Sequence, residues 1–464
     1  MAFELHATAA ARFRELESSG AARTVAAHLR RLVSEGDDFD CYKINACRLA
    51  EATGASKLEA VRGLLFATRL GLVDLTWDIH CPSCLGLPAF HRHLMQLATR
   101  AHCPLCDVRW DLDLQDQVEV TFTVNPDVRP VALEDFAERR WPDDAAVYTR
   151  RLTRDDRLPE MATPIEPGHA FAVTGRLAAG DYQCVTPGHP EGAALLHVAG
   201  DAVAEEQRLA LALAADGVVT PRQLTARPGP ARFAVANAFP RTWGFAVRPL
   251  ETPRHWVSAT YVTGLQDFRD LFSGEFLAPD VSFAIRSTTL LFTDIKGSTE
   301  MYERLGDAAA YALVQRHFGL MTDVIRRREG GVVKTIGDAV MASFGVNRDA
   351  VAAALEIQEG FARVDPPLSQ IEVKIGLHRG PTIAVTSNRM LDFFGRTVNL
   401  AARVQGHSRA GEVLLSEAVA SDPAVAELLR ERGLTSGRIE ATLKGIPHPV
   451  RLASLRIRPT KESA

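Results

Sequence analysis

The chain has 464 residues, 46% hydrophobic and 24% charged, with a formal net charge of −4. That length is more than one hydrophobic core accommodates, so a multidomain protein is predicted. The slight acidity excludes bulk attraction to nucleic acid or anionic lipid, and any such contact has to be local. No apolar run reaches the roughly 20 residues that span a bilayer. The opening MAFELHATAAARFRELE breaks each apolar stretch with Glu or Arg, unlike a signal peptide, so a cytoplasmic protein is expected.

Residues from about 8 to 75 carry helical spacing, as in AARTVAAHLRRLV and INACRLAEATG. A turn at Gly54-Ala55-Ser56 separates the second of these from a helix capped by Ser56. Gly71 ends that helix, and LVDLTWDI alternates as a strand. The order resembles a winged helix-turn-helix, giving a winged-helix-like α domain over residues 1–78. Its second helix offers Lys57, Arg62 and Arg69, but Glu59, Asp74 and Asp78 nearly cancel them. A reading helix comes with an electropositive footprint, so packing or dimerisation is expected here rather than DNA binding.

Of seven cysteines, four form CPSC (Cys81, Cys84) and CPLC (Cys103, Cys106), a C-x2-C-x18-C-x2-C pattern. Two such knuckles can complete one tetrahedral structural Zn2+ site. The alternative is two reduced or redox-active pairs. A zinc-ribbon-like segment is therefore expected over 79–125, closing on the strand-like QVEVTFTVN, while Cys41, Cys47 and Cys184 read as buried residues.

From 126 to 285, Pro, Gly and Asp punctuate the short alternating runs HAFAVTGRL, DYQCVT, ALLHVAG and HWVSATYVTG, which predicts a β-rich regulatory domain and linker. His169, His189, His197 and His255 are scattered and form no constellation. The linker DLFSGEFLAPDVSFAIRS carries Gly274 and Pro279. Beyond it, over 286–464, come a strand (TTLLFTD), a long amphipathic helix (AAAYALVQRHFGLMTDVIRRR) and a hairpin (VVKTI and VMASF). A helix (AVAAALEIQEGFARV) and a strand (QIEVKIGLH) follow. That is the βαββαβ, ferredoxin-like order, and the chain as a whole reads as multidomain α+β. Fold alone does not assign chemistry.

The hairpin VVKTIGDAVMASF reads as apolar on both faces, yet carries Lys334 and Asp338. FTDIKGST puts Asp294 where a strand hands over to a helix, beside free backbone N–H groups. In this topology the Gly337 turn lies beside that strand end, so Asp338 approaches Asp294. Two converging carboxylates repel unless a cation sits between them, and Mg2+ with phosphate oxygens is the natural occupant. The plainer alternative is an Asp cap on each turn.

FTDIKGST, KTIGDAVMASF, LDFFGRTVNLAARV and LKGIPHPV, in this order, resemble the class III nucleotidyl cyclase catalytic domain over about residues 286–457. The resemblance implies that Asp294 and Asp338, with the Ile295 backbone, bind two Mg2+ or Mn2+ per active site. Asn399 and Arg403 match the transition-state pair, Asn399 for the ribose and Arg403 for charge at the α-phosphate. Lys444 matches the lysine on the terminal phosphates. Lys334 and Asp392 match the base-reading pair, in the form that suits adenine; guanylyl cyclases carry Glu and Cys there. The resemblance further implies a head-to-tail homodimer. Each site takes its metal aspartates from one chain and its other groups from the partner. IGLHRGPTIAVTS departs from the commoner Thr-Gly-Glu wording after the His, and Arg396 replaces an Asn typical of vertebrate enzymes. The GG(D/E)EF motif of diguanylate cyclases is absent.

An adenylate cyclase converting ATP to cyclic AMP under control of its N-terminal half is the leading expectation. Alternatives are a catalytically silent nucleotide-binding signalling module, a guanylate cyclase, or a DNA-binding regulator controlled by nucleotide. The sequence does not name the regulatory ligand or protein.

Overall fold

Capping residues set the first motif. Asn45 Oδ1 accepts from the backbone N–H groups of Cys47 and Arg48 and starts the helix Ala46–Thr53. Gly54, at φ +67°, ends it in the left-handed region that glycine adopts without strain. Ser56 and Glu59 close a capping box on the helix Lys57–Arg69. The strand Val73–Ile79 follows, so the helix–turn–helix–strand order read from sequence is present. The helix stops at Arg69 and Gly71 takes φ +68°, so the glycine ends it as read from the sequence. The helix Lys57–Arg69 buries Leu58, Ala60, Val61, Leu64, Leu65 and Ala67, which leaves a narrow outer face.

The computed structural model describes residues 3, 5–19, 23–82, 87–103, 108–131, 165–185, 192–240, 245–250, 255–444, 446 and 448–456. It divides into two compact units, one of Met1–Arg92, Arg100–Leu112 and Gln117–Val257, the other of His93–Thr99, Asp113–Asp116 and Ser258–Ala464. Among the described residues no helix is long and apolar enough to cross a membrane.

In the first unit the strands Ala89–His91, Val73–Ile79 and Val118–Val124 form an antiparallel sheet in that order. QVEVTFTVN alternates in sequence, but all seven residues of Val118–Val124 are buried. Its polar side chains are paired instead of solvated. Glu119 meets His80 at 2.9 Å, and Thr121 donates to Asp78 at 2.6 Å. A second hairpin joins Arg100–Cys103 to Val108–Asp111. Cys81 and Cys103 are buried, whereas Cys84 and Cys106 lie outside the described residues. Among the described residues no group of three or more His, Cys, Asp or Glu is arranged to hold a metal.

Further along the same unit, two four-stranded sheets share one core. Val219–Thr220, Gln207–Leu213, Gly229–Asn237 and Ala170–Leu177 make one, and Gln223–Ala226, Ala194–Val198, Gly180–Val185 and Ala246–Pro249 the other. Tyr182, Leu196 and Val198 from the second sheet pack with Leu209, Phe233 and Val235 from the first. HAFAVTGRL, DYQCVT and ALLHVAG are strands as predicted. HWVSATYVTG is not. It contains the helix Ala259–Gly264, started by Ser258 Oγ accepting from the Tyr261 N–H at 3.2 Å. Its Val and Thr residues gave a strand-like alternation, but Ala259, Val262 and Thr263 bury one face at helical spacing.

The second unit is built on an eight-stranded sheet. Its first four strands lie in the order Gly331–Ile336, Ala339–Phe344, Phe283–Ile295, Val373–Ser387, every neighbour antiparallel. This is the ferredoxin-like arrangement expected from the element order. Glu412–Ser416 extends the sheet parallel to Val373–Ser387, and Val450–Arg456 and Gly437–Ala441 complete it. Side chains along Glu412–Ser416 alternate between two cores. Val413 and Leu415 join the large one under the helices Asp307–Arg327 and Asn347–Arg363, while Leu414 joins Val404 and Leu452 in a smaller one.

Candidate active site

The strand register sets the acidic end of the site. Phe292 pairs with Met341, and the Val340 N–H donates to Thr293 Oγ1 at 3.0 Å, so Ala339 falls opposite Asp294 and Asp338 stands next to it. Gly337, at φ +64°, makes the tight turn that delivers Asp338 there. Neither carboxylate caps a turn. Asp294 instead pairs with Lys374 on the neighbouring strand, at 2.6 Å. Asp338 Oδ2 is out of solvent and has no hydrogen-bond partner. An orphaned, inward carboxylate oxygen is what a cation-binding site shows without its ion, because burying it unpaired is otherwise costly. The donors here are all oxygen, two carboxylates and the backbone at Ile295, which fits Mg2+ or Mn2+. Lys374 is the one member of this cluster that sequence reading missed. Its place follows from the register, in which Lys374 sits directly across from Asp294.

Lys334 and Asp338 are not partners, although four residues apart on one hairpin. Lys334 Nζ donates to Asp392 Oδ2 at 2.7 Å. Asp392 is on the strand Met390–Phe394, which folds back on Val373–Ser387 through Asn388 and Arg389, both at positive φ. The other oxygen of Asp392 accepts from the Phe393 N–H at 2.7 Å, and the Lys334 ammonium lies 5.5 Å from the Phe394 ring centroid. Asp392 is buried and Lys334 about one-third exposed, so an ordered carboxylate and a reachable ammonium stand side by side. The hairpin itself is not apolar on both faces throughout. Ala339–Phe344 is buried beyond its first residue, but Thr335 and Ile336 at the end of the other strand face solvent, Ile336 at 53%.

Asn399 and Arg403 lie one turn apart on the helix Arg396–His407, which starts directly after the Asp392 strand. Gly395 caps that helix, so Asn399 is not a cap. Asn399 is exposed and Arg403 half-buried. Lys444 is exposed in the turn after the buried Leu443. The register brings Asp294 and Asp338 together and a hydrogen bond joins Lys334 to Asp392. Among the described residues, no side-chain hydrogen bond or ion pair joins Asn399, Arg403 or Lys444 to either pair.

The second unit thus combines a ferredoxin-type sheet, two carboxylates at one strand end and a Lys–Asp pair on the adjoining hairpins. Residues 282–444 match the adenylate and guanylate cyclase catalytic domain family. Residues 6–143 match a family of unknown function, DUF5939. An adenylate cyclase of Lachancea kluyveri is 30% identical over 169 residues, 32% of this chain. The receptor-type guanylate cyclase gcy-8 of Caenorhabditis elegans is 29% identical over 145 residues, 28% of this chain. The chain spans only 9% and 13% of the length of those relatives. A solved structure of Trypanosoma brucei adenylate cyclases in their monomeric state is 25% identical, with a TM-score of 0.33, covering 36% of this chain and 89% of that one.

Proposed function

We propose that this protein is an adenylate cyclase that converts ATP to 3′,5′-cyclic AMP and pyrophosphate, in the cytoplasm, as a head-to-tail homodimer regulated by its N-terminal half. The Lys334–Asp392 pair carries the reading. A donor and an acceptor held 2.7 Å apart complement adenine, whose N1 accepts and whose N6 amino group donates. Lys334 keeps two further N–H groups, and Asp392 Oδ2 a further lone pair, for that edge. Guanine presents the opposite polarity and would satisfy neither the free N–H groups of Lys334 nor the further lone pair of the buried Asp392, at about 1–3 kcal/mol for the buried group.

Asp294, Asp338 and the Ile295 carbonyl are the groups to hold two Mg2+ or Mn2+, which when bound acidify the ribose 3′-hydroxyl and neutralise the triphosphate. Asn399 orients the ribose so that its 3′-oxygen faces the α-phosphorus. That oxygen loses its proton and bonds to phosphorus, and the bond to the bridging oxygen breaks to release pyrophosphate. Arg403 stabilises charge on the α-phosphate oxygens as it develops. Lys444 holds the terminal phosphates. Ile336, Ile383, Met390 and Phe394 are exposed apolar side chains on these same strands, Phe394 at 50%, and they suit burial against a second copy. The zinc reading remains part of the proposal, with Cys81 and Cys103 buried as ligands would be.

Purified full-length protein incubated with ATP or GTP, with Mg2+ or Mn2+, tests the function. Cyclic AMP formation with little cyclic GMP is expected. Nucleotide binding without either product would instead favour a silent signalling module.

A further inference from the structure

The helix Gln266–Leu271 lies before the cyclase family match, which begins at residue 282, yet it is bonded to both strands that carry the base-reading pair. Gln266 ties it to the Lys334 strand. Its backbone N–H donates to Gly330 at 3.0 Å, and its Oε1 accepts from the Val332 N–H at 2.7 Å. Arg269 reaches the Asp392 strand. Its Nη1 donates to the Leu391 carbonyl at 3.1 Å, and its guanidinium carbon lies 6.0 Å from the Phe393 ring centroid. The contacts thus fall on the residues immediately before and after Asp392.

The packing around Arg269 is specific. A Cβ on Gly331 would clash with the Gly264 carbonyl oxygen and stand 3.1 Å from both Cδ and Nε of Arg269, so the backbone there admits only glycine and Arg269 lies close over the start of the Lys334 strand. Nε and Nη2 are out of solvent and have no hydrogen-bond partner. Burial pushes the guanidinium down to about 10, and the Asp392 carboxylate opposes that fall. A long cation with two idle buried donors is an expensive way to fill space, and an apolar side chain of similar length would fill it more cheaply. What a cation adds there is a field on Asp392 and a fixed bond to its neighbour.

We propose that Arg269 is a positioning residue for base selection, holding Asp392, with Gln266 anchoring the Lys334 strand, at the spacing that reads adenine. Selectivity for the base then depends on a helix outside the matched catalytic domain, on the N-terminal side where a regulatory signal would arrive. This rests on the adenine-reading role proposed above for Lys334 and Asp392.

Full-length wild type, Arg269→Met and Arg269→Lys are compared for ATP and GTP, both in turnover and in displacement of a fluorescent ATP analogue. Arg269→Met is expected to raise KM for ATP and lower the ATP-over-GTP ratio about tenfold while kcat changes less. Arg269→Lys keeps the charge but loses the planar fork, and should lower the ratio only about threefold. A ratio unmoved in an Arg269→Met protein that melts like wild type overturns the proposal. Should that variant not fold, Arg269→Lys decides, and a wild-type ratio overturns it equally. A wild type with no ATP preference in either readout shows that the adenine reading itself is wrong, and the inference falls with it. Preference present in wild type and unmoved by both substitutions refutes Arg269 alone.

Discussion

Asp294 and Asp338, the proposed metal ligands, should respond oppositely to removal. Asp338 Oδ2 is buried without a partner, and leaving such an atom unpaired costs about 1–3 kcal/mol. The residue as a whole is half-buried, so the lower part of that range applies. Asp338→Ala should therefore stabilise the metal-free catalytic unit by about 1–2 kcal/mol, or about 2–8 °C in Tm for a unit of this size. Asp294 already has Lys374 at 2.6 Å. Asp294→Ala breaks a partly exposed pair worth about 0–1 kcal/mol and should be neutral or slightly destabilising. Adding Mn2+ at about a hundredfold over its Kd stabilises a binding-competent protein by about 2.7 kcal/mol, which neither variant should gain. Scanning calorimetry in EDTA and then in Mn2+ reads all of this, and cyclic AMP production should fall at least about a hundredfold in both variants. If Asp338→Ala melts lower than wild type in EDTA, or keeps the Mn2+ shift, then Asp338 Oδ2 is not a metal ligand and the assignment is wrong.

Asp294→Ala and Lys334→Ala proteins, each inactive alone, should regain activity when mixed and re-paired, because one pocket of the mixed dimer collects both lesions and the other neither; heterodimers without activity would refute the head-to-tail arrangement. His317 is buried, and burial pushes it down from 6.5 to about 4, the Val314 backbone opposing that fall. The unfolded chain therefore binds the extra proton first, so stability is full above pH 6.5 and falls by up to about 3 kcal/mol as the pH drops toward 4. His317→Leu should flatten that slope in pH-dependent urea melts. Purified protein should carry one zinc per chain by elemental analysis, and Cys81→Ser should lose it along with several degrees of Tm.

The C-terminal part was legible because its signals are redundant. The strand Phe283–Ile295 and the helices Asp307–Arg327 and Asn347–Arg363 announce themselves by apolar period, and the antiparallel register then forces Asp294 and Asp338 to one end of the sheet. What sequence could not give is side-chain pairing. Lys334 and Asp338 look like an internal ion pair at their spacing, yet Lys334 turns to Asp392, which is remote in sequence. Lys374 and Arg269 escaped for the same reason. Each acts across a strand or helix contact, and neither lies in a recognisable motif.

The N-terminal half shows how polar alternation misleads. Val118–Val124 places Glu119, Thr121 and Thr123 at every second position, the pattern of a half-solvated strand, but that face is covered. Lys43, bonded to Asp78 at 2.5 Å and to Thr76 at 2.8 Å, lies against the same face with its side chain only 1% exposed. His80 meets Glu119 and stacks on Trp256 at 4.2 Å between centroids. Periodicity reports where polar residues are, not whether water reaches them, and a sheet that answers each polar group with another hides its burial from any one-strand reading. A fully satisfied network of this kind constrains register, since slipping the strand by one residue would bury every one of these groups unpaired. The same polar residues that made the segment look exposed therefore fix how it is buried.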